Sequence, residues 1–161
     1  MIPKITRRAD LTLVFRSSGG VQQADQLVNH AAKLRWMSGD QVHVPLVVRT
    51  PIGGRRGYGP THSQTLEKHF IGAPGLRVVA AAALGDPAGL LRRAVLEDDD
   101  PVLFIEHKLL YPLPALGTDE LPECDVRLNG GRYPTYRITQ SGAPRPTLTV
   151  AAYGFMADLA L

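Results

Sequence analysis

Apolar positions along the chain change their period several times, and each change marks an element. Between Gln23 and Met37, Leu27, His30/Ala31, Leu34 and Trp36/Met37 fall near one face at helical spacing, and Ser38-Gly39 supplies a stop. VHVPLVVR (Val42–Arg49) follows, apolar enough for a strand covered on both sides. A loop rich in Gly, Pro and Arg runs from Thr50 to Pro60, and Thr61-His62-Ser63 leads into a short helix predicted over Gln64–Ile71. LRVVAA (Leu76–Ala81) reads as a strand. Asp86-Pro87 then gives an N-cap and a first-turn proline to a helix with Leu90, Leu91, Ala94 and Val95 on its apolar face, ending near Asp98–Asp100. PVLFIE (Pro101–Glu106) is another strand of the buried type.

Helix, strand, helix, strand, helix, strand over residues 23–106 implies crossover connections and a parallel sheet, an α/β domain. Upstream, ADLTLVF (Ala9–Phe15) is a strand candidate and RSSGG (Arg16–Gly20) a turn. From Pro112 to Pro146 prolines, glycines and acids dominate, around one polar strand-like piece, YRITQ (Tyr136–Gln140). TLTVAAYG (Thr147–Gly154) reads as a new strand and FMADLAL (Phe155–Leu161) as the first turns of a helix. The expected organisation is a divergent segment 1–22, the α/β domain 23–112, a linker with short hairpins 113–146, and the start of a second domain 147–161.

Composition narrows the class. With 161 residues, 44% hydrophobic and 20% charged, the chain can bury a real core and is no disordered or fibrous sequence. One cysteine, Cys124, forms no internal disulfide, and neither an apolar leader nor a membrane-length run is present, so a cytoplasmic protein is expected. Charge is uneven: nine Lys/Arg against three acids over residues 1–60, nine against twelve over 61–161. The basic residues are spread thinly, without an RNP-type aromatic motif or zinc-finger spacing, which speaks against nucleic acid.

The candidate chemistry lies in PIGGRRGYGPTHS (Pro51–Ser63), at the carboxyl end of a predicted strand, where open α/β sheets place ligands. It lacks the Gly-Lys-Ser/Thr of a Walker A loop and the G-x-G-x-x-G of a dinucleotide turn. A flexible surface loop, with Arg55 and Arg56 solvated or meeting an anion, is the alternative. His62 either caps the next helix or faces a ligand and exchanges protons near neutral pH. His62 and His69 are not at H-E-x-x-H spacing, and Ser63 lacks a G-x-S-x-G context. His30 is expected to pack in a core or interface, and His43 and His107 to be structural.

The wording of five ordered segments says more: DQLVNHAAKLRWMSG (Asp25–Gly39), VPLVVRTPIGG (Val44–Gly54), THSQ (Thr61–Gln64), APGLRVVAA (Ala73–Ala81) and DPVLFIEHKLLY (Asp100–Tyr111). Together they resemble the β subunit of thiamine-diphosphate-dependent 2-oxoacid dehydrogenases, the decarboxylating component of pyruvate, branched-chain and acetoin dehydrogenase complexes. LTVAAYG (Leu148–Gly154) is similar to the opening of that family's C-terminal domain. The resemblance implies the three-layer pyrimidine-binding domain of the thiamine-diphosphate-binding fold, here incomplete at its N-terminus. It implies an α subunit that holds the diphosphate and magnesium, contacts between β subunits, and a lipoyl-bearing acyltransferase as acceptor. By motif, His62 is the residue that faces the thiazolium centre. It further implies a potassium ion on the main-chain carbonyls of Leu46, Ala94, Val95, Asp98 and Asp100, although the chain is one residue longer near Leu96–Glu97.

The departures carry an alternative. The family's β subunit supplies a Glu to the cofactor's pyrimidine ring from well upstream of the first helix. Before His62 this chain has only Asp10, Asp25 and Asp40, none in a matching context. Residues 9–15 place Leu11 beside Asp10, without the aromatic that approaches the cofactor, and Arg16–Ala24 reads as an insertion. The second expectation is therefore an inactive truncated remnant that keeps the fold and a partner-binding surface, with no turnover alone.

Overall fold

The computed structural model describes residues 12–14, 24–143 and 145–161. Among these, four parallel strands, β1 (Thr12–Val14), β2 (Val47–Ile52), β3 (Arg77–Ala80) and β4 (Val102–His107), form one sheet in the order β1-β2-β4-β3. Val47 stands level with Thr12 on one side and Val102 on the other, and Arg77 is also level with Val102. Of the strand expected over Ala9–Phe15, the centre is β1. Its remaining residues and the turn at Arg16–Gly20 lie outside the described residues.

β4 is central and apolar on both faces, with Val102, Leu103, Phe104 and Ile105 all buried. Alternation sends Val102 and Phe104 to one face and Leu103 and Ile105 to the other. The first face packs with Val47, Val79 and Ala94 beneath helix α2 (Pro87–Glu97). The second packs with Leu27, Val48 and Ile52 beneath helix α1 (residues 26–37). Helices on both faces of a parallel sheet make three layers, which is the α/β class expected. No helix among the described residues is long and apolar enough to cross a membrane.

Helix α1 departs from the simple amphipathic reading. Its first part, Gln26–Ala31, is wound as a π-helix and its second, Ala32–Met37, as an α-helix. The wide turn adds Ala32, five positions after Leu27, to the inward face beside a half-buried Ala31, and turns position 34 outward. Leu34, Trp36 and Met37 consequently stand exposed. His30 also turns outward, its Nδ1 3.8 Å from Asp25 Oδ2, so it does not pack in the core of this chain. Where α1 meets the turn before β3, Gly75 has φ +83° and a Cβ there would sit 1.8 Å from the Ala32 carbonyl oxygen. Only glycine allows that approach.

Two predicted elements change form. The helix expected over Gln64–Ile71 is replaced by single 3₁₀ turns, Pro60–His62 and Glu67–His69. Leu66 and Ile71 are exposed, so the stretch has no apolar stripe to pay for nucleating a helix this short. The strand expected over Thr147–Gly154 finds no neighbour among the described residues and stays unpaired, while helix α3 (Phe155–Ala160) forms. Between them, β5 (Cys124–Asn129) and β6 (Thr135–Gln140) make an antiparallel hairpin that includes YRITQ.

Candidate functional site

The loop after β2 and the residue after β4 leave the same carboxyl edge of two adjacent central strands. Loops at that edge are where parallel sheets carry their ligand contacts. Pro51 can occupy β2 because of this geometry. Ile52 turns its C=O to β4, accepting from Lys108 N–H at 3.0 Å, whereas Gly53 N–H points the other way, to the Gln64 C=O at 3.2 Å. By two-residue alternation Pro51 faces away from β4, where the described pairing with β1 has already ended at Arg49.

His62 closes the 3₁₀ turn Pro60–His62 and is exposed at this edge. Gly59, at φ 75°, breaks the extended loop and lets Pro60 start the turn. The turn is tied down from below. Lys108 Nζ donates to the His62 C=O and, at 3.3 Å, to the Gly53 C=O, and lies 5.9 Å from the centre of the Tyr58 ring. Arg56 Nη2 donates to the Lys108 C=O at 3.1 Å, which fixes one of the two loop arginines. The sequence reading missed Lys108, although its place directly after an apolar strand was a usable signal.

A second group of side chains lies behind the turn. Glu67 is buried on the next 3₁₀ turn and accepts from the Tyr153 hydroxyl. His107, the last residue of β4, is buried and stacks on Phe155 with ring centroids 5.7 Å apart. Its Nδ1 accepts from the Leu109 N–H at 3.3 Å, which leaves the proton of the neutral ring on Nε2. Nε2 in turn packs on Gly53, where a Cβ would sit 2.4 Å away. Leaving His107 as structural thus fits its position, and with Glu67 it docks residues 153–155 onto the base of the loop. On the other flank, Glu106 is engaged by Arg49 at 2.7 Å and by the Tyr111 hydroxyl at 2.8 Å. Burial, then that bond to Glu106, pushes the Tyr111 phenol up to about 12.

Burial, aided by the Lys108 cation, pulls the His107 imidazole below its ordinary 6.5, and Glu67 and Asp158 offset only part of this. The folded chain therefore binds the proton less readily than the unfolded chain. Stability is full above the ordinary value and is lost as pH falls through it toward the lower folded value. The denaturant midpoint should drop between pH 7.5 and 5.5, and His107→Gln should flatten that part of the curve. A His107→Gln profile parallel to the native one would refute the assignment.

The carbonyls expected to hold potassium sit at the opposite, amino edge. Ala94 and Val95 belong to the last turn of α2, where carbonyls have no intrahelical partner. Leu46 C=O accepts from the Val102 N–H at 2.8 Å, which leaves one lone pair. The side chains of Asp98 and Asp100 are taken by arginines: Asp98 by Arg77 and Arg132, Asp100 by Arg77 and Arg35 at 3.0 Å each. No group of three or more metal-ligating side chains occurs among the described residues. An ion here would rest on main-chain oxygen, a donor set that suits a hard cation.

The family model described as "Transketolase, pyrimidine binding domain" matches residues 13–114. The pyruvate dehydrogenase E1 component subunit beta of Gracilaria tenuistipitata var. liui is 44% identical over 98 residues, 61% of this chain and 29% of that one. The mitochondrial subunit beta-1 of Oryza sativa subsp. japonica is 42% identical over 141 residues, covering 88% of this chain and 36% of its own. The 2-oxoisovalerate dehydrogenase subunit beta of Bacillus subtilis (strain 168) is 37% identical over 137 residues, 85% of this chain and 39% of the relative. The chain thus spans 29% to 39% of the length of these relatives. With the family model covering most of its length, the chain belongs to the transketolase pyrimidine-binding domain family, in which it is similar to the β subunits of pyruvate and 2-oxoisovalerate dehydrogenases.

Proposed function

We propose that this chain is the β-side pyrimidine domain of a thiamine-diphosphate-dependent 2-oxoacid dehydrogenase, working across an interface with an α subunit. The observation that carries the reading is His62 on a braced turn at the carboxyl edge of β2 and β4, within the T-H-S-Q motif. An imidazole there can donate or accept a proton at the reacting centre and orient the oxoacid or the incoming lipoyl group. Bound thiamine diphosphate supplies the electron sink for decarboxylation.

The loop residues fit one half of that cofactor. Pro51–Ser63 carries no carboxylate, the usual protein ligand of magnesium, and the magnesium–diphosphate contacts are assigned to the α subunit. Tyr58 and His62 offer the apolar and proton-transferring contacts for the other half. Glu106, the acid on β4, is committed to Arg49 and Tyr111 and is not the pyrimidine carboxylate. Potassium is assigned to the carbonyls of Leu46, Ala94, Val95, Asp98 and Asp100, and a lipoyl-bearing acyltransferase to the acyl acceptor.

Mixing the purified chain with an α subunit of the family, thiamine diphosphate, magnesium, a 2-oxoacid and an artificial electron acceptor tests the reading. Oxoacid-dependent reduction that needs all components is the expected result. Binding to the α subunit without reduction would identify a non-catalytic partner-binding domain instead. Absence of both reduction and binding would refute the proposal.

A further inference from the structure

We propose that Lys108 is the positioning residue for the His62 turn: its ammonium, by donating to two loop carbonyls, sets where the imidazole is presented. The inference rests on the reading of His62 given above.

The loop it holds is intrinsically loose. Gly53, Arg55, Gly57 and Gly59 all have positive φ, so four of seven consecutive positions use a backbone region open chiefly to glycine. Such a segment gains much conformational freedom when released. The loop residues Arg55–His62 are all exposed, so no apolar burial holds them. What fixes the loop is polar, and it converges on Lys108. Its N–H extends the β2–β4 ladder by one residue, to the Ile52 C=O. Its Nζ bonds the Gly53 C=O at the start of the loop and the His62 C=O at the end. An ammonium has three donors; two meet these carbonyls and the Tyr58 ring lies within cation–π range. Hydrogen bonds from a charged donor are the strong ones, and these two tie both ends of the loop to one rigid strand end.

Lysine suits this task for reasons of shape. A flexible stem carrying a compact cation can reach two carbonyls on different sides, whereas methionine keeps the stem and loses every donor. Arginine keeps charge and donors in a planar fork and should restore most of the bracing.

Two measurements on the full chain test the inference. In native conditions trypsin should cut after Arg55 and Arg56 about tenfold faster in Lys108→Met than in the native chain, because cleavage follows local opening. Lys108→Arg should stay near the native rate, and cleavage after Arg92, in α2, should not change. Unchanged cutting at Arg55 and Arg56, or a parallel rise at Arg92, would overturn the inference. In the reconstituted α–β assay, Lys108→Met should lower kcat roughly 10- to 100-fold, the cost of a misplaced catalytic group, with KM little altered. Added to His62→Ala, it should lower kcat no further. An equal drop in both backgrounds would show that Lys108 acts apart from His62 and overturn the inference. If native chain and His62→Ala turn over alike, the function proposed for His62 fails, while the cleavage rates still decide whether Lys108 braces the loop.

Discussion

Replacing His62 with alanine is expected to cut oxoacid-dependent turnover of the reconstituted α–β pair roughly 10²- to 10⁴-fold, the usual contribution of a positioned acid–base group. The size of the effect follows from where the imidazole sits. It is exposed in this chain; on the function proposed, the α subunit covers it, and hydrogen-bonding groups aimed at developing charge are worth most once water is excluded. The fold should not notice the change. The Lys108 bond is made to the His62 carbonyl, which alanine retains, and surface substitutions generally stay within about 0.5 kcal/mol. Two acceptors separate two roles. If reduction of an artificial acceptor collapses, His62 serves the oxoacid and its decarboxylation. If only acyl transfer to a lipoyl acceptor collapses, it serves the incoming lipoyl group. Retention of more than about half of native turnover with both acceptors would remove His62 from the reaction.

The parallel sheet was legible because its strands are short apolar runs separated by crossover-length intervals, and β4 is apolar at four consecutive positions. Asp86 and Pro87 marked the start of α2, and the Asp86 side chain does accept from the Gly89 N–H at 2.7 Å. Strand limits were less legible. Val42 and Val44 looked like strand, yet β2 begins only at Val47, where Val102 stands opposite, and it runs through Pro51 because that residue faces away from β4. Pairing partners decide such limits, and local pattern does not contain them. The π-turn in α1 was hidden for a related reason: it alters which residues face inward without altering composition. At the candidate site, the place of His62 at the carboxyl side of β2 was legible from the apolar run and the Gly/Pro loop before it. The residues that brace it were not, since Lys108 lies 46 positions away and Glu67 meets Tyr153 across 86.

At the opposite edge of the sheet the largest change in stability is expected from Asp98→Ala, about 3–5 kcal/mol, as when one partner of a buried charge cluster is removed. The Asp98 side chain is 1% exposed. One carboxylate oxygen accepts from Arg77 and, at 3.0 Å, from Arg132, while the other accepts from the Tyr133 hydroxyl at 2.6 Å. These donors come from the first residue of β3 and from the hairpin connection, so one side chain joins β3, the end of α2 and the β5–β6 unit. Burial, then the bond to Asp98, holds the Tyr133 phenol well above its ordinary value, so it remains a donor at any working pH. Both arginines are about 40% exposed and can be rehydrated, whereas Tyr133 packs against the core and would lose its acceptor outright. The cost should therefore fall toward the lower limit, with Tyr133→Phe alone near 1 kcal/mol. The double substitution should cost less than the two single ones added, because they share one bond. Denaturant midpoints at unchanged slope measure all three. Activity per folded molecule should survive, since β4, six residues long, puts about 20 Å between this cluster and the His62 turn. An Asp98→Ala chain that loses less than about 1 kcal/mol would mean that solvent already satisfies these donors and that the hairpin is held by its other contacts.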